Sequence, residues 1–359
     1  MSDVEKNSGT HKPEVDGEWV RLEDVCAKGK SNLRQKDLKN DGPYPVYGAP
    51  GIVGFSSDYQ NVDAYVAVVK DGAGVGRVMA CEPRSSVLGT MQALLPGKGT
   101  DRDYLLHLVR SMDLGKGFTG STIPHIYFKD YGKTLVRALS RGRQVEVANR
   151  LSGIDRLISQ GKQQLSFLDD LVKSQFVEMF GDPKSNPHGW DIGTIETIAA
   201  NLDAKRVPIT QSDREEGPYP YYGATGAVDS VSGYIFDERL LLVSEDGANL
   251  LARTYPIAFS IFGKTWVNNH AHVLKVQNEE TQVFLEKLIN MMDISEFITG
   301  STQPKLTQKQ LNQIPVMLPP MSLQRQFAEF VARVDKLGFG IWLACKSLHE
   351  PITHFYHQI

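Results

Sequence analysis

The chain has 359 residues, with 39 Lys and Arg against 42 Asp and Glu, for a formal net charge of −3. That length gives room for two or three domains, and the near balance excludes a chain coated in basic charge while leaving room for local basic patches. Three scattered cysteines, Cys26, Cys81 and Cys345, form no CxxC pair, which fits a reducing, cytoplasmic setting, and no apolar run is long enough for a membrane span.

In chain order, residues 1–17 read as a polar tail without the apolar core of a signal peptide. An α+β region over 18–138 follows, entered at Trp19. It contains a Gly-Pro-Tyr-Pro turn at Gly42 and a β-rich run Ala64–Val69 closed by an Asp-Gly turn. A candidate helix, Tyr104–Met112, comes later. A long helix is expected over 139–181. Its apolar residues Leu151, Ile154, Ile158, Leu165, Leu168 and Val172 alternate by three and four when Gly161 fills the gap, which is the spacing of a heptad seam. Over 143–179 it would be about 55 Å long at 1.5 Å per residue. Gly181 and Pro183 supply its stop. A second α+β region covers 187–318, entered at Trp190, with a run Leu240–Val243 and a candidate helix Val283–Met292. A second seam follows over 319–359, through Phe327, Val334, Leu337 and Ile341. Gly338 and Gly340 weaken this helix, and Pro351 is expected to kink or end it.

The two α+β regions are copies. Residues 42–49, GPYPVYGA, recur as 217–224, GPYPYYGA, at an offset of 175. From Gly42 to Ala73, 15 of 32 positions are identical, where chance would give about 2. Thr119-Gly120-Ser121-Thr122 recurs as Thr299-Gly300-Ser301-Thr302 at an offset of 180, so the second copy gains five residues, placed by the sequence between Gly76 and Thr90. A period this long is a domain, not a solenoid unit. The fold class is therefore α+β: two similar domains, each followed by a long helix, with the two helices packing as an antiparallel coiled coil.

Catalytic motifs fail on inspection. Gly132-Lys133-Thr134 and Gly263-Lys264-Thr265 resemble the end of a Walker A loop, but Tyr127 and Ala258 stand where its first glycine is required. His270 and His272 share one face of a strand as metal ligands would, with no third ligand nearby in sequence. Leu318-Pro319-Pro320-Met321 lacks the amide or carboxylate and the aromatic residue of an amino-methyltransferase loop. The chain reads as non-catalytic and without a metal.

The architecture closely resembles the specificity subunit of type I restriction–modification systems. The resemblance is carried by Phe180-Gly181-Asp182-Pro183 before Trp190, by Tyr219-Pro220-Tyr221-Tyr222-Gly223, and by Asn268-Asn269-His270-Ala271-His272. It continues through Thr299-Gly300-Ser301-Thr302-Gln303-Pro304-Lys305-Leu306 to Pro319-Pro320 and Gln326. The first copy departs from it, lacking Asn-Asn-His around Thr90 and Pro-Pro near Leu139. The resemblance implies two target recognition domains, each reading half of a split double-stranded DNA site, with the helices as spacer. It implies two methyltransferase subunits on the two similar faces, with restriction/translocase subunits joining them. S-adenosylmethionine, ATP and Mg²⁺ would sit on those partners, with no cofactor in this chain. A tandem protein- or glycan-binding scaffold without nucleic acid is the alternative the repeat alone would allow.

If the half-sites differ, positions identical in both copies cannot by identity alone account for the difference. Tyr44, Tyr47, Tyr219 and Tyr222 are read as scaffold or DNA-backbone contacts, as are Thr119, Ser121, Thr299, Ser301 and Lys305. Base readers are sought where the copies diverge: Arg77, Arg84, Gln92, Arg253, Lys264, Asn268, Asn269, His270 and His272.

Overall fold

The computed structural model describes residues 17–117, 124–300 and 302–356. Thr119, Ser121 and Ser301 lie outside them, as do residues 1–16 of the polar tail. Two compact units share the chain. One comprises residues up to Lys162 together with those from Leu343 on; the other runs from Gln163 to Trp342. Both divisions fall inside long helices.

In the first unit, the strands Cys26–Lys28, Met91–Pro96, Tyr65–Val69 and Val78–Cys81 form an antiparallel sheet in that spatial order. Every residue of Tyr65–Val69 is buried, as expected of a central strand covered on both faces. A smaller sheet sets Tyr44–Gly48 between Gly51–Ser56 and the short parallel strand Ser86–Val87. Helix Arg102–Ser111 is capped by Asp101, whose carboxylate accepts from the Asp103 and Tyr104 amides, and it buries Leu105, Leu108 and Val109 in the core.

The second unit repeats this order strand for strand. Ala199–Asn201, Ala271–Val276, Leu240–Ser244 and Ala258–Ile261 form the larger sheet. Tyr219–Gly223 lies between Gly226–Val231 and Lys264–Val267, and Phe236–Asp237 adds one edge strand. Even the irregularities recur: the hairpin register shifts between Val46 and Tyr47 and, at the matching place, between Tyr221 and Tyr222. The repeated glycine has a steric reason. A Cβ on Gly42 would lie 2.1 Å from the Ser56 carbonyl oxygen, and one on Gly217 2.3 Å from Ser232 Cα.

The two entry tryptophans are not mates. Trp19 pairs with Arg137 inside the strand pair Glu18–Arg21/Leu135–Ala138. In the second unit the matching place, opposite Met317, is held by Ile192. Trp190 sits two residues earlier and donates its indole N–H to the Phe180 carbonyl at 3.0 Å. Strand register, not residue identity, sets the correspondence.

The long helices span Arg141–Phe180, 40 residues, and Met321–Tyr356, 36 residues. Gly181, at φ 82°, ends the first, its amide bonded to Val177 O. The second runs on past Pro351 to Tyr356. Within the Gln163–Trp342 unit, Phe176 packs edge-on to Phe327 at 5.5 Å, and Leu165 and Leu168 approach Gly338, so the helices run antiparallel. Phe176, Phe180, Phe284 and Phe327 form a box with ring centroids 4.9–5.5 Å apart. In the first unit, Ile352 and Tyr356 pack against the core that holds Leu151. Leu151, Ile158, Val172, Phe327 and Val334 are buried, with Ile154, Leu165, Leu168 and Ile341 half-buried. Leu337, expected in the seam, is instead 62% exposed. Gly338 takes the inward place, where a Cβ would find Leu165 and Leu168 at 3.6 and 3.7 Å.

Candidate nucleic-acid interface

The five extra residues of the second copy can be placed from strand ends. Residues 70–77 join Val69 to Val78, whereas residues 245–257 join Ser244 to Ala258. The insertion therefore falls within 70–77, at the leading edge of the segment the sequence assigned to it. The strands that restore the frame, Val78-Met79-Ala80-Cys81 and Ala258-Phe259-Ser260-Ile261, share no residue, so the earlier slip left no trace in the alignment. The longer segment folds one helical turn, Asn249–Ala252, closed by Asn249 hydrogen bonds to the Tyr255 backbone at 2.9 and 3.0 Å. Arg253 follows in the left-handed region at φ 50°. Its guanidinium donates to Met292 O at 3.0 Å and Ile289 O at 3.4 Å, at the C-terminal end of helix Glu279–Met291. A cation there satisfies open carbonyls and the helix dipole, and that use engages it inside its own domain.

The turn Asn268-Asn269-His270 is built rigidly. Asn268 is buried; its amide bonds to Tyr222 O and its side-chain oxygen accepts from the His270 amide at 2.8 Å. His270 is half exposed, with Nδ1 2.9 Å from Asp246. Asn269, between them, is exposed. Two locked neighbours thus present one side-chain amide to solvent.

Beneath this turn lies a buried ionic network. His272 is 1% exposed, with Nδ1 2.5 Å from the Asp203 carboxylate and Nε2 2.8 Å from Leu306 O. Arg206 bridges Glu245 at 2.6 Å and Asp203 at 3.4 Å, and Lys305 reaches Glu245 at 3.2 Å. Asp203 also accepts from the Val273 amide at 2.8 Å. Burial opposes ionisation of Asp203, but the hydrogen bond and charge of His272, the Val273 amide and Arg206 outweigh it and hold the carboxyl below its ordinary range. Glu245 is likewise held low against its burial by Arg206, His272 and Lys305. Asp203, Glu245 and His272 bring candidate metal-ligand atoms within 4.8 Å of one another. Arg206 and Lys305 already neutralise both carboxylates, so the cluster is an ion-pair network complete in itself.

The remaining candidates fall into two groups. Gln92 is buried, donating to Ala93 O at 2.8 Å; it occupies the place of His272 and, like it, has no open route to a base edge in this fold. Arg77 is exposed and donates to Ala49 O at 3.0 Å, clasping the hairpin turn. Arg84 is exposed in a bend at φ 51°. Lys264 is exposed, its ammonium 4.8 Å from the Tyr234 ring and 5.9 Å from that of Tyr219. Tyr47 is buried, its hydroxyl accepting from the Glu82 amide at 3.4 Å, and Tyr222 packs on Phe259 at 6.2 Å. Thr299 and Lys305 exchange backbone hydrogen bonds that close the loop between them.

Sequence reasoning missed Asp203, Arg206 and Glu245. The available signal was a sign change between the copies. The hydrogen bonds Gly29 N to Ala93 O and Leu202 N to Val273 O align Lys30 with Asp203, and Lys70 N to Thr90 O matches Glu245 N to His270 O. Two acids thus stand where the first copy has two lysines.

Comparison with known proteins gives the fold first. A crystal structure of the S subunit of a type I restriction–modification system from M. genitalium superposes with a TM-score of 0.61 at 16% identity, covering 97% of each chain. By sequence, residues 187–341 match the family described as type I restriction modification DNA specificity domain. A putative type I restriction enzyme specificity subunit of Haemophilus influenzae is 31% identical over 176 residues, which is 49% of this chain and 42% of that relative. A putative type I specificity subunit of Mycoplasma pneumoniae is 27% identical over 213 residues, 58% of this chain and 83% of that relative. The chain thus spans less than half the length of the Haemophilus relative. The resemblance first carried by the repeated motifs holds: the second copy is similar to the type I DNA specificity domains, and the described chain has the fold of the M. genitalium S subunit.

Proposed function

We propose that this chain is the DNA sequence-recognition subunit of a type I restriction–modification complex. Each α+β unit reads one half of a bipartite double-stranded site, and the paired helices serve as the spacer. The observation that carries this reading is one strand order folded twice, with the second copy matching a DNA specificity family. A split site needs two readers held a set number of base pairs apart, and uninterrupted helices meet that need better than a flexible linker. The chain carries no catalytic constellation of its own in this reading. Methyltransferase subunits dock on the repeated frame, restriction/translocase subunits join through them, and S-adenosylmethionine, ATP and Mg²⁺ belong to those partners. Among the described residues no helix is long and apolar enough to cross a membrane, and a cytoplasmic site of action fits a partner that is DNA.

Co-purification tests the reading. The expected result is a complex with a methyltransferase subunit that binds one split DNA sequence with strong salt dependence. A chain that binds neither methyltransferase nor DNA would overturn it and favour the protein- or glycan-binding scaffold.

A further inference from the structure

The small sheets of the two units share a surface cluster that the hairpin motif alone does not reveal. Tyr44 and Tyr59 meet edge to face, with ring centroids 4.8 Å apart and an interplanar angle of 70°. Tyr219 and Tyr234 do the same at 5.1 Å and 65°. A basic residue holds the same register place in each small sheet, and in the second unit it lies beside the tyrosine pair. Lys264 is cross-strand neighbour to Asp237 in the register that pairs Thr265 with Phe236. Arg84 holds the corresponding place in the first unit, its amide bonded to Val62 O next to the bridge between Asn61 and Ser85. The residue changes from Arg to Lys, but the charge stays. Both side chains are exposed and make no ion pair among the described residues. In the second unit the Lys264 ammonium rests over both tyrosine rings, which keeps a mobile side chain at one point of the surface.

Two readers of different half-sites need different base contacts, but both meet the same phosphodiester backbone. A feature kept in both copies as charge and geometry, and not as residue identity, suits the part of DNA that does not vary. We propose that Arg84 with Tyr44 and Tyr59, and Lys264 with Tyr219 and Tyr234, are paired phosphate clamps, one per half-site, and not base readers. This rests on the DNA-recognition reading above. The cation supplies the charge, and the tyrosine pair fixes its position and offers hydroxyl groups to neighbouring phosphate oxygens. Asp237 across the strand from Lys264 tempers the second clamp; the first has the uncharged Val62 in that place.

The test uses the assembled complex with its methyltransferase subunits, on DNA carrying the sequence that the wild type methylates and on unrelated DNA. Arg84→Gln and Lys264→Gln are each expected to weaken binding to both DNAs by a similar factor. Each should flatten the slope of log affinity against log salt by about 1, the loss of one phosphate contact. Lys264→Arg should keep the wild-type slope, and Asp237→Asn should tighten binding to both DNAs. Sequenced methylation sites should be unchanged in every variant. A wild-type slope in the Gln variants, or a changed base preference in either half-site, would overturn the clamp. A wild-type complex that shows no salt-dependent DNA binding would instead remove the functional reading on which the clamp depends.

Discussion

The two units share a strand order but differ in how the matching corner of each is braced. In the second, Asp203, Arg206, Glu245, His272 and Lys305 form a buried ionic network under the Asn268–His270 turn. In the first, the matching places hold Lys30, Lys70, Gln92 and His125, and the turn becomes Leu88-Gly89-Thr90. One polar contact, Asp71 to His125 at 2.7 Å, remains in the same corner. The difference teaches that the frame and its bracing are separable. Buried apolar strands carry the common fold, while a polar network can be built into one copy and left out of the other.

Breaking the bracing should have the largest effect. Asp203→Ala removes the acceptor for His272 Nδ1 and the Val273 amide, and leaves Arg206 held by Glu245 alone. A loss of about 3–5 kcal/mol is expected in the second unit, measurable by denaturant unfolding. A loss below about 1 kcal/mol would mean the network is solvated and contributes little. Phe176→Ala, which opens the aromatic box shared with Phe180, Phe284 and Phe327, should likewise cost about 3–5 kcal/mol. Hydrogen exchange should show the loss confined to the Gln163–Trp342 unit.

A smaller effect is expected from pH. Asp203 and Glu245 have folded-state carboxyls held below their ordinary range. Each contributes stability above its unfolded value, about 4 for a free carboxyl, and that contribution fades as pH falls through the lower folded value. The second unit should therefore lose protection on acidification below about pH 4, and a His272→Gln variant, which copies the first unit, should lose less. Equal acid sensitivity of variant and wild type would contradict the assignment. The smallest effect is reserved for Leu337→Ser, expected within about 0.5 kcal/mol of wild type because the side chain points outward.

These contrasts also mark what the sequence made legible. The copies could be read directly, because the glycine that opens the Gly-Pro-Tyr-Pro hairpin is fixed by a close backbone approach that a Cβ would break at Gly42 and Gly217. The helices could be read because a heptad seam is local. Leu337 was misplaced because Gly338 looks like a helix breaker, yet here it lets Leu165 and Leu168 come close. Trp19 and Trp190 misled because shared identity is weaker evidence than strand register. The ionic network stayed hidden because Asp203 and Arg206 meet Glu245, His272 and Lys305 only through the pairing of distant strands and loops. His272 reads as a base reader because the copies diverge there, and only the fold shows that its side chain is buried.

The central claim is that two similar units read two separate halves of one DNA site. It is tested most directly by replacing residues 187–318 with the corresponding region of another specificity subunit and sequencing the methylated adenines produced by the reconstituted complex. The account predicts a new sequence in one half-site, with the other half and the spacer length unchanged. A change in both halves, or in the spacer alone, would contradict it.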